Sequence, residues 1–129
     1  MKTAIVILNW NTADYLRRFL PPLLRSVEGL DAEVIVADNA STDSSLEVMT
    51  SCFPAVRVTA LDENYGFTGG YNRALRGLDA ELYVLLNTDV EVPEGWLEPL
   101  VGYMDGHPEC GACGPKLISF SDRSRFEYA

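Results

Sequence analysis

The sequence predicts an α/β domain, an open and mostly parallel sheet with helices on both faces. Three observations carry that expectation. Short apolar runs alternate along the chain with stretches of helical periodicity. The first of these runs, Thr3 to Leu8, has the continuity of a strand buried on both faces. The connections are long enough to hold the crossover helices that parallel neighbours need.

Thr3 to Leu8 (TAIVIL) is rich in β-branched residues and reads as the first buried strand. Leu16, Phe19, Leu20, Leu23, Leu24 and Val27 then recur at helical spacing, with Asn11 or Thr12 as N-cap. Pro21 and Pro22 predict a kink or a split in that helix. Glu33 to Ala37 (EVIVA) is the second strand, followed by a short helix through Leu46 and Met49 that Ser44-x-x-Glu47 opens with a capping box. A third strand, Val56 to Ala60, leads to a helix with apolar positions Phe67, Tyr71, Ala74, Leu75 and Leu78. Leu82 to Leu86 is the fourth strand. Pro93 or Glu94 opens a helix carrying Leu97, Leu100, Val101 and Met104 on one stripe, and Gly111 to Ile118 predicts a fifth strand.

With 129 residues, 47% of them hydrophobic, the chain supports a single domain over residues 1–129. No apolar segment approaches the ~20 residues of a membrane-spanning helix, and the N-terminus has no signal-peptide pattern, so a soluble cytoplasmic chain is expected. The formal charge is −9 and the ten Lys and Arg residues are scattered, which argues against a nucleic-acid partner. An anionic ligand would need help from a metal or from backbone N–H groups. Cys52, Cys110 and Cys113 are expected to be free thiols, and Cys110-x-x-Cys113, which has no second pair and falls at the start of a predicted strand, to be an ordinary buried pair. His107, before Pro108, reads as a solvated loop histidine.

Each of the first four strands gives way to a polar cluster: Asn9-Trp10-Asn11, Asp38-Asn39, Asn64-Tyr65-Gly66 and Asn87-Thr88-Asp89. In an open parallel sheet those ends share one edge, and ligands bind in the crevice there. A carboxylate at Asp89, with no basic cluster beside it, suits a hard divalent cation such as Mg²⁺ or Mn²⁺. Taken alone, Asn87 and Asp89 equally suit an Asx turn that ends the strand. The glycines of Gly66-Phe67-Thr68-Gly69-Gly70 could let backbone approach a ligand or let a helix pack closely; they do not match a dinucleotide fingerprint. Trp10 and Tyr65 either stack on a base or pack at the crevice rim. Arg73 and Arg76 read as a solvated helix face.

Taken together, VILNWN, VIVADNASTDSS, ENYGFTGGYN and YVLLNTDVEVP resemble the inverting glycosyltransferases of family 2 and their Rossmann-like GT-A nucleotide-sugar-binding fold. Within them the sequence is most similar to the rhamnosyltransferase-like branch, whose metal motif reads Asn-x-Asp. The resemblance implies that Asn9 and Asn11 line the nucleotide pocket, that Asp38 bonds the pyrimidine base or its ribose, and that Asp43 supports that pocket. It places Asn64, Gly66 and Asn72 in a segment closing over the base. Asp89 would ligate the metal bridging the donor diphosphate, and Asn87, where many members carry Asp, would contact the sugar or a metal-bound water.

The resemblance further implies a sugar donor activated as a nucleoside diphosphate, with dTDP-rhamnose favoured over UDP-linked sugars. It also implies a saccharide or lipid-linked acceptor and peripheral association with the inner face of a membrane. The general base is expected beyond Ala129, in an acceptor-binding half, so the chain is expected to be a fragment that binds donor without sustained transfer. A truncated sheet would expose an edge and favour self-association. Two alternatives are a non-catalytic nucleotide- or sugar-binding module and a nucleotidyltransferase. The latter typically carries a Gly- and basic-rich loop after the first strand, where Asn9 to Asp14 has neither.

Overall fold

Residues 1–128 are described by the computed structural model, the last three by their backbone alone. The elements are β1 (Thr3–Asn9), α1 (Ala13–Ser26), β2 (Ala32–Asp38), α2 (Ser45–Cys52), β3 (Arg57–Ala60), α3 (Gly66–Leu75), β4 (Leu82–Leu86), α4 (Leu97–Gly106), β5 (Leu117–Ile118) and β6 (Phe126–Tyr128). They form two units that divide between Val92 and Pro93.

The first unit is a four-stranded sheet in the order β3-β2-β1-β4, and every pairing is parallel. β1 lies at its centre because its apolar run serves both faces: Ala4, Val6 and Leu8 alternate with Ile5 and Ile7. On one face Ala4 and Val6 join Ile35 and Ala37 in a core closed by Tyr71 and Ala74 of α3. The helix seats closely there because residue 70 is glycine. A Cβ at Gly70 would lie 2.8 and 2.9 Å from the Leu8 methyls. On the opposite face Ile5, Ile7, Val34 and Val36 are buried, as are Leu16, Leu20 and Leu23 of α1 and Val48 and Met49 of α2. Each such aliphatic side chain contributes about 1.5–3 kcal/mol by leaving water.

Four local expectations change. α1 runs unbroken through Pro21 and Pro22. The two missing N–H groups cost bonds within the helix, and burial of the stripe on either side holds it together. β3 starts one residue later than expected. Phe67, expected to face the core, is 65% exposed, because α3 begins at Gly66 and turns Gly70, Tyr71 and Ala74 inward. Leu78 lies past the end of α3 yet still packs on the core.

β4 is buried less than its neighbours. By register Tyr83 and Leu85 share the α3 face with Ala4 and Val6, but α3 packs over β1 and β2, leaving the two side chains 43% and 52% exposed. Among the described residues the outer edge of β4 pairs with no strand.

The second unit holds α4 and a two-stranded antiparallel ribbon, β5 with β6. The fifth strand expected over 111–118 is therefore only Leu117–Ile118 and belongs to a separate sheet. Gly111, Gly114 and Pro115 favour irregular backbone before it. His107 is the C-cap of α4, half-buried, with its ring stacked on Tyr103 at 4.0 Å, so it is not a solvated loop residue. The three cysteines are free as expected but not buried: Cys52 and Cys113 are exposed and Cys110 is half-buried.

Candidate functional site

The strand order reverses between β1 and β4, since the chain moves outward through β2 and β3 and then returns to the other side of β1. Ligand crevices of open α/β sheets open at such a point, off the C-terminal ends of the strands. Asn9, Asp38 and the Asn87-Thr88-Asp89 segment all lie at those ends.

Asn9 and Asp38 are direct partners in the β1–β2 register, 0% and 1% exposed. The Asn9 Nδ2 donates to Asp38 Oδ1 at 2.8 Å and to Ser41 Oγ at 3.2 Å. Ser41 donates its hydroxyl to Asp38 Oδ1 at 2.7 Å and its backbone N–H to Oδ2 at 2.9 Å. A buried carboxylate is tolerable only with such a complement of donors. The tight turn that brings Ser41 back to Asp38 puts Ala40 in the left-handed region, at φ +61°.

The loop after β1 is stitched to the loop after β2 by Asn11, itself left-handed at φ +53°. Its Oδ1 accepts the N–H groups of Thr42, at 2.7 Å, and Asp43, at 3.2 Å, while its own N–H donates to Ser41 Oγ. Asp43 then caps two helices at once. Its Oδ2 accepts the Ala13 N–H at 3.1 Å, and its Oδ1 accepts the Ser45 N–H at 2.9 Å together with the Ser45 hydroxyl. Burial pushes the Asp43 carboxyl up, but the Ser45 hydroxyl and backbone and the Ala13 N–H outweigh it and hold the group below its ordinary value. The caps expected from Thr12 and from Ser44-x-x-Glu47 make no side-chain bond to their helix ends, since Asp43 reaches both sets of N–H groups first.

Asn39, buried beside Asp38, ties in the third segment. Its Oδ1 accepts the Tyr65 N–H at 3.0 Å and its Nδ2 donates to the Gly66 carbonyl at 3.1 Å. Asn64 closes the same turn by accepting the Gly66 N–H at 2.8 Å, and Gly66 meets it at φ +72°. The Arg73 guanidinium lies 3.5 Å over the Tyr65 ring, so one face of that ring is already covered, whereas Trp10 is 51% exposed at the end of β1. Asn72 stands exposed on α3.

At the end of β4, Asn87 and Asp89 are exposed and Thr88 between them is half-buried. Thr12 Oγ1 is 2.6 Å from Asn9 Oδ1 and 3.2 Å from Thr88 Oγ1, which joins this segment to the buried pair. The Tyr71 hydroxyl donates to the Leu86 carbonyl at 3.2 Å, fixing the strand end from the α3 side. Desolvation raises the Tyr71 phenol above its ordinary value and keeps it a donor.

The fold thus gathers Asn9, Asn11, Asp38 and Asp43 into one bonded network and sets Asn64 and Gly66 beside it through Asn39. Asn87 and Asp89 stand exposed just past the end of β4, and Asn72 is exposed on α3. Sequence reasoning passed over Ser41 and Ser45, placed Asn39 and Thr88 in the crevice clusters without a role, and took Thr12 only as a cap. A signal was present, because Asn, Ser and Thr next to Asp at a strand end bond neighbouring backbone. Among the described residues no group of three His, Cys, Asp or Glu side chains could cage a metal.

A parallel sheet in this order, with its polar chain gathered at one edge, is an α/β fold of the GT-A type. Solved glycosyltransferases share it. TarS from S. aureus in complex with UDP-GlcNAc matches with a TM-score of 0.70 at 21% identity, over 92% of this chain and 38% of that one. The mannosyltransferase PcManGT from Pyrobaculum calidifontis, in complex with GDP-Man and Mn²⁺, matches at 0.69 and 22%, over 91% of this chain and 34% of that one. The chain belongs to glycosyl transferase family 2, whose sequence model matches residues 4–129. It is similar to the N-acetylglucosaminyl-diphospho-decaprenol L-rhamnosyltransferase of Mycobacterium tuberculosis, 29% identical over 136 residues. That match covers 97% of this chain and 44% of the relative, so the chain spans less than half the length of the relative.

Proposed function

We propose that this chain is the donor-binding part of a metal-dependent inverting glycosyltransferase that uses a nucleoside-diphosphate sugar. The observation that carries the reading is the position of Asn87-Thr88-Asp89 at the topological switch point, bonded through Thr12 to the buried Asn9–Asp38 pair. The exposed carboxylate of Asp89 and the amide oxygen of Asn87 are hard donors on an otherwise acidic chain. One carboxylate fits Mg²⁺ or Mn²⁺, which keep several waters and complete their shell with phosphate oxygens.

When bound, the cation would offset the negative charge that develops on the departing diphosphate. The chain's own residues do the rest of the positioning. Asn11 and Asp43 hold the first two loops at the sheet edge, while Asn39 and Asn64 hold the Tyr65–Gly66 turn that faces the nucleotide. Trp10 supplies an exposed aromatic face at the same edge, and Asn72 lies along α3 behind that turn. No residue of this chain is assigned as general base. The similarity to a rhamnosyltransferase supports dTDP-rhamnose as donor and a lipid-linked saccharide as acceptor, at the cytoplasmic face of a membrane. No helix among the described residues is long and apolar enough to cross one. The outer edge of β4, which pairs with no strand among the described residues and has Tyr83 and Leu85 exposed beside it, supports self-association.

Calorimetric titration of the chain with dTDP and with UDP, each with and without Mn²⁺, tests the reading. Binding that needs the cation and falls at least about tenfold in Asp89→Ala is expected, equivalent to ~1.4 kcal/mol. Binding indifferent to both cation and substitution, or no binding of either nucleotide, overturns it.

A further inference from the structure

We propose that Asp38 and Thr12 are positioning residues for the Asn87-Thr88-Asp89 segment, acting through a one-directional hydrogen-bond relay that runs Thr88, Thr12, Asn9, Asp38. This replaces the direct nucleotide contact that the family resemblance implies for Asp38, and it rests on the reading of that segment as the cation site of the donor.

Proton counting fixes the direction. An ionised carboxylate only accepts, and Asp38 takes donors on both oxygens, two on Oδ1 and one on Oδ2. Because Asn9 spends its Nδ2 on that carboxylate, its Oδ1 must face Thr12 as an acceptor. Thr12 has one hydroxyl proton, and the 2.6 Å contact commits it to Asn9. The only proton left for the Thr12–Thr88 contact is that of Thr88. Thr88 therefore directs its hydroxyl hydrogen inward, which fixes its side chain and the backbone on which Asn87 and Asp89 stand. The Tyr71 hydroxyl holds the preceding carbonyl, Leu86, from the other face of the sheet.

The relay crosses the ends of β2, β1 and β4 and ends on a carboxylate that is 1% exposed. A ligand could reach that carboxylate only by displacing its donors. Chains of hydrogen bonds polarise one another in a low-dielectric interior, so an ionised anchor at one end stiffens the far end. Asp38→Asn breaks the pattern with little change of shape, because an amide cannot accept at both positions and turns an N–H toward another donor.

The test reads the protein without ligand and then with Mn²⁺. In ¹H–¹⁵N spectra of the free chain, Asp38→Asn should shift the backbone amides of Thr88 and Asp89, and Thr12→Val should abolish that response. With dTDP or UDP present, Thr12→Val should weaken Mn²⁺ binding about three- to tenfold. Thr12→Ser should restore it, and adding Asp38→Asn to Thr12→Val should cause no further loss. Asp89 amides indifferent to Asp38→Asn, multiplicative losses in the double variant, or Thr12→Ser as impaired as Thr12→Val would each overturn the proposal. If Asp38→Asn does not fold, the Thr12 pair decides through Mn²⁺ affinity and the Asp89 amide. If the wild-type chain binds no Mn²⁺, the donor-site reading fails, and the ligand-free amide shifts still decide the relay.

Discussion

Replacing Asp43 by Ala should unfold this domain far more readily than loss of an ordinary surface carboxylate. Surface substitutions usually fall within about 0.5 kcal/mol, but Asp43 accepts the first N–H of α1 and the first N–H of α2 together. An N-cap is worth typically about 1 kcal/mol, and a carboxylate at a helix N-terminus adds about 0.3–1 kcal/mol at each end. Two helices on one side chain bring the expected loss to about 2.6–4 kcal/mol. For a unit of this size that is roughly 10–30 °C in Tm, read by circular dichroism with a parallel urea titration.

Asp43→Asn should cost about half as much, since an amide can accept at one helix and not at the other. The carboxyl is held below its ordinary value in the folded chain, so the unfolded chain binds more protons in acid. Its stabilisation is present above the unfolded value of about 3.9 and disappears as pH falls through the folded one. The acid limb of the wild-type stability curve should therefore be steeper than that of Asp43→Asn. A Tm change of under about 3 °C in Asp43→Ala, with an unchanged acid limb, would refute the double-cap reasoning.

Ala40→Gly should stabilise the chain by up to about 1 kcal/mol, because an L residue at φ +61° pays about 1–2 kcal/mol that the extra freedom of unfolded glycine only partly cancels; a lower urea midpoint would contradict this. Light scattering should show mass rising with concentration, and Leu85→Lys should return the chain to monomer by placing a charge beside the open β4 edge. A monomer at every concentration would rule out self-association.

The strands that sequence patterning located most closely, β1, β2 and β4, each hold an unbroken run of four or five apolar residues, so tertiary context had little to override. The crevice residues were legible for the same reason, since a buried strand that stops at Asn or Asp marks its own end. Helix starts were less so. Ser44-x-x-Glu47 has the spacing of a capping box, but the competing acceptor is its own neighbour Asp43, which also serves a helix 30 residues earlier in the chain. The Pro21-Pro22 pair misled in the other direction, because the cost of two lost bonds is local and the burial that outweighs it is not. The role of Thr88 depends on Thr12 and Asn9 meeting it, and no local spacing encodes a contact between residues 76 apart.

Because β1 is both first in the chain and central in the sheet, the two walls of the crevice are assembled at different times. Asn9 meets Asp38 across 29 residues, whereas Thr12 meets Thr88 across 76. Closing the longer loop costs about 0.9 kcal/mol more by chain entropy alone. During synthesis the buried amide–carboxylate pair can be complete while the Asn-Thr-Asp turn is still unmade. The β4 side of the crevice then docks onto a finished template, and an error confined to β4 leaves the β1–β2 wall without its counterpart.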